Sequence, residues 1–564
     1  MISIQRHHII LGIVLLVLLS RCCYAKEPSP EGEIVPDIAI TNVEAPNSCT
    51  IGNIVSISVD IRNQGSHTES VEVRLFDAVG GHSIGKQPVV LSQAGIEGID
   101  TTCDLIFEAE GSGQCNIGSF ITSGDINADG IDDLVYTAPV YDDYTGRVYA
   151  HYGSKDFDTD PDFVLTGTGP NMKFGNGFCL GDINNDGHAD LIVGANWFRS
   201  MKGRVYIYYG GPLLDDSVDL VLENPEEVAS SFGRELAVGD VNGDGFTDLV
   251  VCAVRYDDAR GRCYLYYGGD SLDAKSDMIF DGEERGQHFG REIVIGDTDG
   301  DGFDDILFGA KDYDGDGQNL GRVYLHYGAE GTTMDAVCDK VITGESNGDA
   351  CGSALGICDI DGDGSGEILI CSRYWNNYQG KMSIWWGGTR NINVLQADIC
   401  LYGDTKPVPS HFQGHPSSHG YFNGDKYLDI LVGGSGAGDS NAGKAFLFYG
   451  GSKDTMDNKV DRVFVQEELG GLYGPEACAA DLNNDGCDDA VIADVMYSRS
   501  PERGRVYLYW GSPGDSTQLT FNWDTTNASI GTHTLKVEIP PVPGEQNIED
   551  NVRTVTVKVK ARGQ

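Results

Sequence analysis

Seven short acidic loops of the form D-x-N-x-D-G-x-x-D, set at a nearly constant interval, constrain this chain more than any other feature. They begin at Asp125, Asp182, Asp240, Asp297, Asp359, Tyr421 and Asp481, with 57, 58, 57, 62, 62 and 60 residues between successive starts. A period of that size marks stacked supersecondary units, each unable to bury its apolar face alone. The loops also alternate oxygen-bearing side chains around a glycine, which suits Ca²⁺, a hard cation that takes roughly six to eight oxygens.

In the first loop Asp125, Asn127, Asp129 and Asp133 offer side-chain oxygens and Ile131 its backbone carbonyl, while Gly130 permits the positive φ of a sharp turn. The equivalent sets are Asp182, Asn184, Asp186, His188 and Asp190; Asp240, Asn242, Asp244, Phe246 and Asp248; and Asp297, Asp299, Asp301, Phe303 and Asp305. Two more follow: Asp359, Asp361, Asp363, Ser365 and Glu367; and Asp481, Asn483, Asp485, Cys487 and Asp489. The sixth loop departs from the pattern, with Tyr421 at the first carboxylate and Lys426 at the glycine, leaving Asn423, Asp425 and Asp429. About six structural calcium sites are therefore expected, with the sixth loop weak or empty.

The 564 residues carry a formal net charge of -47, which argues against nucleic acid or an anionic membrane surface as partner. The 40% of hydrophobic residues is enough for a real core, so this is not a disordered acidic tail. Residues 1–25, basic and then apolar and ending in Ala25, read as a secretory signal peptide, and no later segment qualifies as a membrane span. Of the cysteines, the pairs Cys103/Cys115, Cys338/Cys351 and Cys252/Cys263 are placed for disulfides, the last across a hairpin; the alternative is that they are small buried hydrophobes.

After each acidic loop comes a short apolar strand, such as DLVYTAP or DLIVGAN, and then a second strand opened by glycine and a basic residue, such as GRVYAHYG or GRCYLYYGG. A weaker strand follows, then a Phe-Gly element (FGNG, FGRE, FGRE) that leads into the next loop. Four short antiparallel strands per unit of about sixty residues make a propeller blade. These elements resemble the FG-GAP repeat of the integrin alpha-subunit head. The resemblance covers roughly 101–515 and implies a seven-bladed β-propeller that meets ligands on the face opposite its calcium loops.

Residues 36–100 and 516–560 carry alternating strand-length runs that resemble the two halves of CARDB, an immunoglobulin-like, cell-adhesion-related domain. The fold class expected is thus all-β, with the propeller inserted in an Ig-like sandwich. Either residues 103–108 or residues 519–523 close the ring as the outer strand of the last blade.

With the calcium loops read as structural staples, function is expected on the other face, where Tyr141, Trp197, Phe198, Tyr256, Tyr374, Trp375 and Tyr497 sit in the loops between second and third strands. No G-x-S-x-G, H-E-x-x-H, P-loop or C-x-x-C motif occurs and the histidines form no cluster, so the chain is not expected to be an enzyme. The expectation is a secreted or cell-surface calcium-binding adhesion or recognition protein with an extracellular protein or glycan as partner. The alternative is a carbohydrate-active enzyme or lectin built on a propeller.

Overall fold

The run after each acidic loop is apolar throughout rather than alternating because the strand it forms is covered on both faces. Asp133–Ala138, Asp190–Ala195, Asp248–Ala253, Asp305–Ala310, Glu367–Ser372, Asp429–Gly434 and Asp489–Asp494 are buried at every residue. Each is the second strand of a four-stranded antiparallel sheet, and there are seven such sheets. Burial fades outward: the third strands begin with a partly exposed basic residue, as in Arg204–Tyr208, and the fourth strands alternate, as in Met278–Asp281. The sheets are the blades of a seven-bladed β-propeller.

This architecture comes from a computed structural model. Of the ring it describes residues 99, 101–108, 114–212, 214–269, 272–315, 317–331, 333–403, 419–423, 425, 427–434, 443–465, 473–495 and 503–511, and of the flanks the backbone of strands within 12–91 and 516–560. Tyr497 and Lys426 lie outside the described residues.

Adjacent blades share cores. Ile183, Ile192 and Val205 of the second blade pack with Phe232, Leu249, Val251 and Tyr264 of the third. Phe232 is fully buried, a ring worth about 1.5 to 3 kcal/mol in transfer terms. The glycine opening each third strand makes this approach possible. Gly203 has φ +85° and pairs with Phe232 of the next blade, and a Cβ built there would lie 2.0 Å from the Phe232 carbonyl oxygen. Gly146, Gly321 and Gly443 make the same bridge to Phe174, Cys351 and Tyr473. The Phe-Gly element is therefore a blade-to-blade joint whose glycines are steric requirements and whose aromatic can change to cysteine or tyrosine.

Of the two closures considered from sequence, the structure has the first. Leu105–Glu108 pairs antiparallel with Arg505–Tyr509, in register Leu105↔Leu508 to Glu108↔Arg505, and supplies the outer strand of the last blade. Phe107 is buried in the core between the last and first blades. Ser516–Asp524, the alternative, pairs instead with Ile54–Asn63.

The flanks share sheets. Ile38–Glu44, Ile54–Asn63 and Ser516–Asp524 form a three-stranded sheet. Ser48–Thr50, Glu69–Asp77, Ser83–Leu91, Gly531–Glu538 and Val552–Lys560 belong to a six-stranded one. Of the expected leader only Gly12–Leu19 is described, as the sixth strand of that sheet, paired with Glu69–Asp77 and Gly531–Glu538. One of the three expected disulfides forms, Cys252–Cys263, between directly opposed positions of neighbouring strands. Cys103 and Cys115 are not joined to each other, nor Cys351 to Cys338, and the Cys338 thiol donates instead to the Lys340 and Leu325 carbonyls.

Candidate functional sites on the two faces

The acidic loops fold on their own side chains. In the first, Asp125 accepts hydrogen bonds from the backbone N–H of Ala128 at 2.7 Å, Asp129 at 3.2 Å and Gly130 at 2.8 Å. Asn127 Oδ1 accepts from the N–H of Asp129 and Asp129 Oδ1 from that of Ile131. The pattern recurs: Asp182, Asp240, Asp297, Asp359 and Asp481 each accept from the N–H of the loop glycine five residues on. The carbonyl positions His188, Phe246, Phe303, Ser365 and Cys487 each donate their N–H to the carboxylate two residues before.

The last acid of each loop is different in kind. Asp133, Asp190, Asp248, Asp305, Glu367 and Asp489 are fully buried. Asp133 Oδ2 accepts from the N–H of Ile126 at 2.9 Å and its Oδ1 from that of Gly153 at 2.8 Å, so one carboxylate ties the loop to the far end of the third strand. Asp190 does the same with Ile183 and Gly210, and Asp489 with Leu482 and Gly511. Burial pushes these acids up, to about 7 for Asp133, Asp190, Asp248, Asp305 and Glu367 and to about 8 for Asp489, against the opposing pull of their N–H donors.

The donors fit a hard divalent cation, being oxygen throughout. In the fourth loop carboxylate oxygens of Asp297, Asp299 and Asp305 lie within 4.8 Å of one another, and in the fifth those of Asp359, Asp361 and Glu367 do so. Among the described residues the same two loops differ from the rest in a way the sequence did not signal, since each receives a basic side chain from the following blade. Arg390 pairs with Asp299 and Asp301, and Lys453 Nζ lies 2.9 Å from Asp363 and 3.8 Å from Asp361. In the sixth loop Tyr421 is 42% exposed and Asn423 Oδ1 accepts from the N–H of Asp425, while Asp429 keeps its bond from Gly450.

The second strand of each blade runs from the acidic loop to the aromatic turn, so the two lie on opposite faces of the ring. Four aromatic turns, Tyr141–Tyr144, Phe198–Met201, Tyr256–Ala259 and Trp375–Tyr378, pass through the left-handed region without glycine, as at Asp142 (φ 46°), Asp143 (φ 55°) and Tyr144 (φ 63°). Such residues cost on the order of 1 kcal/mol each. The rings expected to meet ligand have partners inside the blade. The guanidinium of Arg147 lies 3.8 Å from the Tyr141 ring centre, Arg204 3.9 Å from Phe198 and Arg262 4.0 Å from Tyr256, with Lys381 Nζ 5.4 Å from Trp375. An aromatic six residues before each strand-opening cation was the sequence signal for this clamp, and it went unread.

Trp197 and Tyr374 lie one position before the clamp. Trp197 stacks on Tyr144 of the preceding blade at 5.3 Å, and Tyr374 is 37% exposed beside Tyr378. Tyr374, Trp375 and Tyr378 line a cleft of about 540 Å³ together with Asn319, Asn347 and Asp349. Asn319 sits in the loop of Tyr313, and Asn347 and Asp349 in the turn before Cys351, and only the fold brings these two turns beside Tyr374.

With this geometry in view, residues 117–151 and 174–208 match the FG-GAP repeat, and residues 240–308 match an FG-GAP-like repeat. Phosphatidylinositol-glycan-specific phospholipase D of Homo sapiens is 32% identical over 498 residues, 79% of this chain and 52% of the relative. The protein of that name from Rattus norvegicus is 26% identical over 423 residues, 65% of this chain and 50% of the relative. Integrin alpha-7 of Mus musculus is 38% identical over 160 residues, 27% of this chain and 13% of the relative. The chain thus spans about half the length of its phospholipase relatives. These relatives overturn the expectation that the chain is not an enzyme, since relatives matched over 79% and 65% of this chain carry the name of one. That expectation rested on missing linear motifs, and residues gathered from separate blades need leave none.

Proposed function

We propose that this seven-bladed propeller of FG-GAP repeats is a secreted or cell-surface recognition protein, stapled by calcium in its acidic loops and binding a glycan on the opposite face. The observation that carries this reading is the cleft of about 540 Å³ at Asn319, Asn347, Asp349, Tyr374, Trp375 and Tyr378, which sets aromatic rings among amide and carboxylate groups. Rings stack on the apolar face of a sugar while amides and carboxylates bond its hydroxyls. Integrin-like relatives support the adhesion side of the reading. The ligands of calcium would be the six loop sets headed by Asp125, Asp182, Asp240, Asp297, Asp359 and Asp481. The shared flanking sheets suit a CARDB-like Ig sandwich interrupted by the ring. No helix among the described residues is long and apolar enough to cross a membrane.

The test is a glycan array run in millimolar calcium and again in excess chelator. Binding of a glycan subset that falls at least about tenfold in Tyr374→Ala, with the thermal midpoint kept, supports the cleft. Absence of any glycan or cell-surface protein binding sinks it. Chelator is expected to lower the thermal midpoint sharply, since each loop is left with crowded carboxylates, and an unchanged midpoint would remove calcium from the account.

A second reading is favoured by the 32% identity with the human phospholipase, namely that the chain takes part in cleaving phosphatidylinositol-glycan anchors. Release of an anchored protein from vesicles by the purified chain tests it, and no release above a buffer control excludes it.

A further inference from the structure

The third strand of each blade opens on a basic residue, and its middle residue packs in the core shared with the blade before it. In every blade but the fifth that residue is a buried aromatic: Tyr149, Tyr206, Tyr264, Tyr324, Phe446 or Tyr507. In four blades it meets the aromatic of the blade-to-blade joint, as Phe174–Tyr206 at 5.7 Å, Phe232–Tyr264 at 5.5 Å, Phe289–Tyr324 at 5.3 Å and Tyr473–Tyr507 at 5.5 Å. The fifth blade has neither ring. Cys351 stands at the joint and Ser383 in the middle of Lys381–Trp385.

The two small residues leave a pocket of about 310 Å³ between the fourth and fifth blades, with Cys351 and Ser383 in its lining. Its apolar walls are Ile342 from the outer strand of the fourth blade and Ile370 and Trp385 from the fifth, all buried. Trp385 is a fixed wall, because its Nε1 donates to the Asn393 carbonyl at 2.9 Å. The pocket reaches the surface at Glu345 and at Leu395, which is 90% exposed. A gap of this kind in a close-packed ring forfeits contacts that the other blades keep, and a ring brought from outside restores them. Ligand pockets begin at roughly 300 Å³, so this one matches a single ring with short substituents.

The other blades also show how such a ring is held. In the second blade the Tyr206 hydroxyl lies 3.5 Å from Nη1 of Arg204, the strand-opening cation. Lys381 has that place in the fifth blade; it lines the pocket, its side chain is 5% exposed, and its Nζ lies 2.7 Å from Glu345 Oε1. An ammonium carries three N–H groups, so the bond to Glu345 leaves donors for a phenol oxygen. Because Glu345 already balances the ammonium, a neutral hydroxyl suits this place better than a second carboxylate, which would be buried without a counter-charge of its own.

We propose that this pocket binds a small neutral phenol, with its ring where Tyr206 or Tyr264 lies in other blades and its hydroxyl on Lys381. The pocket shares no lining residue with the cleft at Tyr374, so its occupant goes beyond the glycan reading and does not depend on it.

Isothermal titration of the full chain in millimolar calcium with p-cresol and with toluene tests it. The phenol is expected to bind at one site per chain, about threefold to tenfold tighter than toluene, which lacks the hydroxyl. Lys381→Met is expected to bring p-cresol down to the level of toluene while toluene binding stays within about twofold. Ser383→Tyr rebuilds the ring within the chain and is expected to abolish binding of both with the thermal midpoint held or raised; were that variant not to fold, the Lys381→Met comparison decides alone. No saturable binding of p-cresol, equal binding of p-cresol and toluene, or p-cresol binding undiminished in Lys381→Met or in folded Ser383→Tyr overturns the proposal. Tyr374→Ala is expected to leave p-cresol binding intact, and its loss there would put the phenol in the glycan cleft and overturn the assignment to this pocket.

Discussion

Two histidines show how a buried position can set the acid tolerance of the ring. His151 and His326 close the third strands of the first and fourth blades, where other blades place Tyr208, Tyr266 or Phe448. His151 Nε2 is 2.8 Å from the Tyr136 hydroxyl, and the Nδ1 of both histidines is buried without a partner. Burial lowers both to about 4, despite nearby aspartates that pull the other way. Above pH 6.5 the folded and unfolded chains are both neutral at these positions, so nothing is lost. As pH falls from about 6.5 to about 4 the unfolded chain takes up protons that the native one refuses, and stability drops by up to roughly 3 kcal/mol per histidine. The double change His151→Phe with His326→Tyr is expected to flatten the loss of thermal midpoint between pH 6.5 and 4.5. An equally steep loss in the variant would mean that other groups carry the acid sensitivity.

Among the elements, the acidic loop is the one the chain repeats most faithfully, and the sixth copy supplies a control within one molecule. Asp244 accepts the N–H of Phe246 and sits in a loop with all its oxygen positions filled, whereas Asp425 belongs to a loop headed by the exposed Tyr421. Asp244→Ala is therefore expected to cost calcium-dependent stability on the order of 1 to 3 kcal/mol, the usual range for a charged group that loses its partners, and Asp425→Ala clearly less. Thermal melts at saturating calcium check the pair, and comparable losses would show the sixth loop to be as occupied as the others.

These loops were legible because a turn that folds on its own carboxylates repeats the same residue types at fixed spacing, and the paired strands because burial on two faces fixes composition. The blade-to-blade joint was legible only in part. Its requirement falls on a glycine such as Gly118, Gly352 or Gly474, each at positive φ, while the preceding residue can be Ile117, Cys351 or Tyr473 as well as phenylalanine. The aromatic turns misled for a related reason, because Tyr141 and Phe198 were weighed as exposed rings when their partners, Arg147 and Arg204, were in plain sight as strand-opening residues.

At the scale of the whole molecule, closure by Leu105–Glu108 makes the ring one cooperative object. The strand contributes buried Phe107 to the core between last and first blades, an ion pair from Glu108 to Arg505, and a bond from the N–H of Trp510 to Asp104 at 2.9 Å. Phe107→Ala is expected to cost about 3 to 5 kcal/mol, as a large ring lost from a core does. It should also raise hydrogen exchange first in Arg505–Tyr509, because that strand loses its outer neighbour. Exchange that rises evenly over all blades, or not at all, would show that the ring does not depend on this latch.

The latch also has a consequence for how the chain comes into being. Glu108 meets Arg505 across 397 residues, and emerges from the ribosome long before its partner exists. At roughly 5 to 20 residues per second, the closing strand waits on the order of 20 to 80 s. During that time six blades can assemble one behind another, each against its finished neighbour, while the first and last surfaces stay open to water and to other nascent chains. Production of this protein is thus governed by what shelters an open ring in the interval, and slowing synthesis near residue 500 would lengthen that exposure without altering a single contact of the finished molecule.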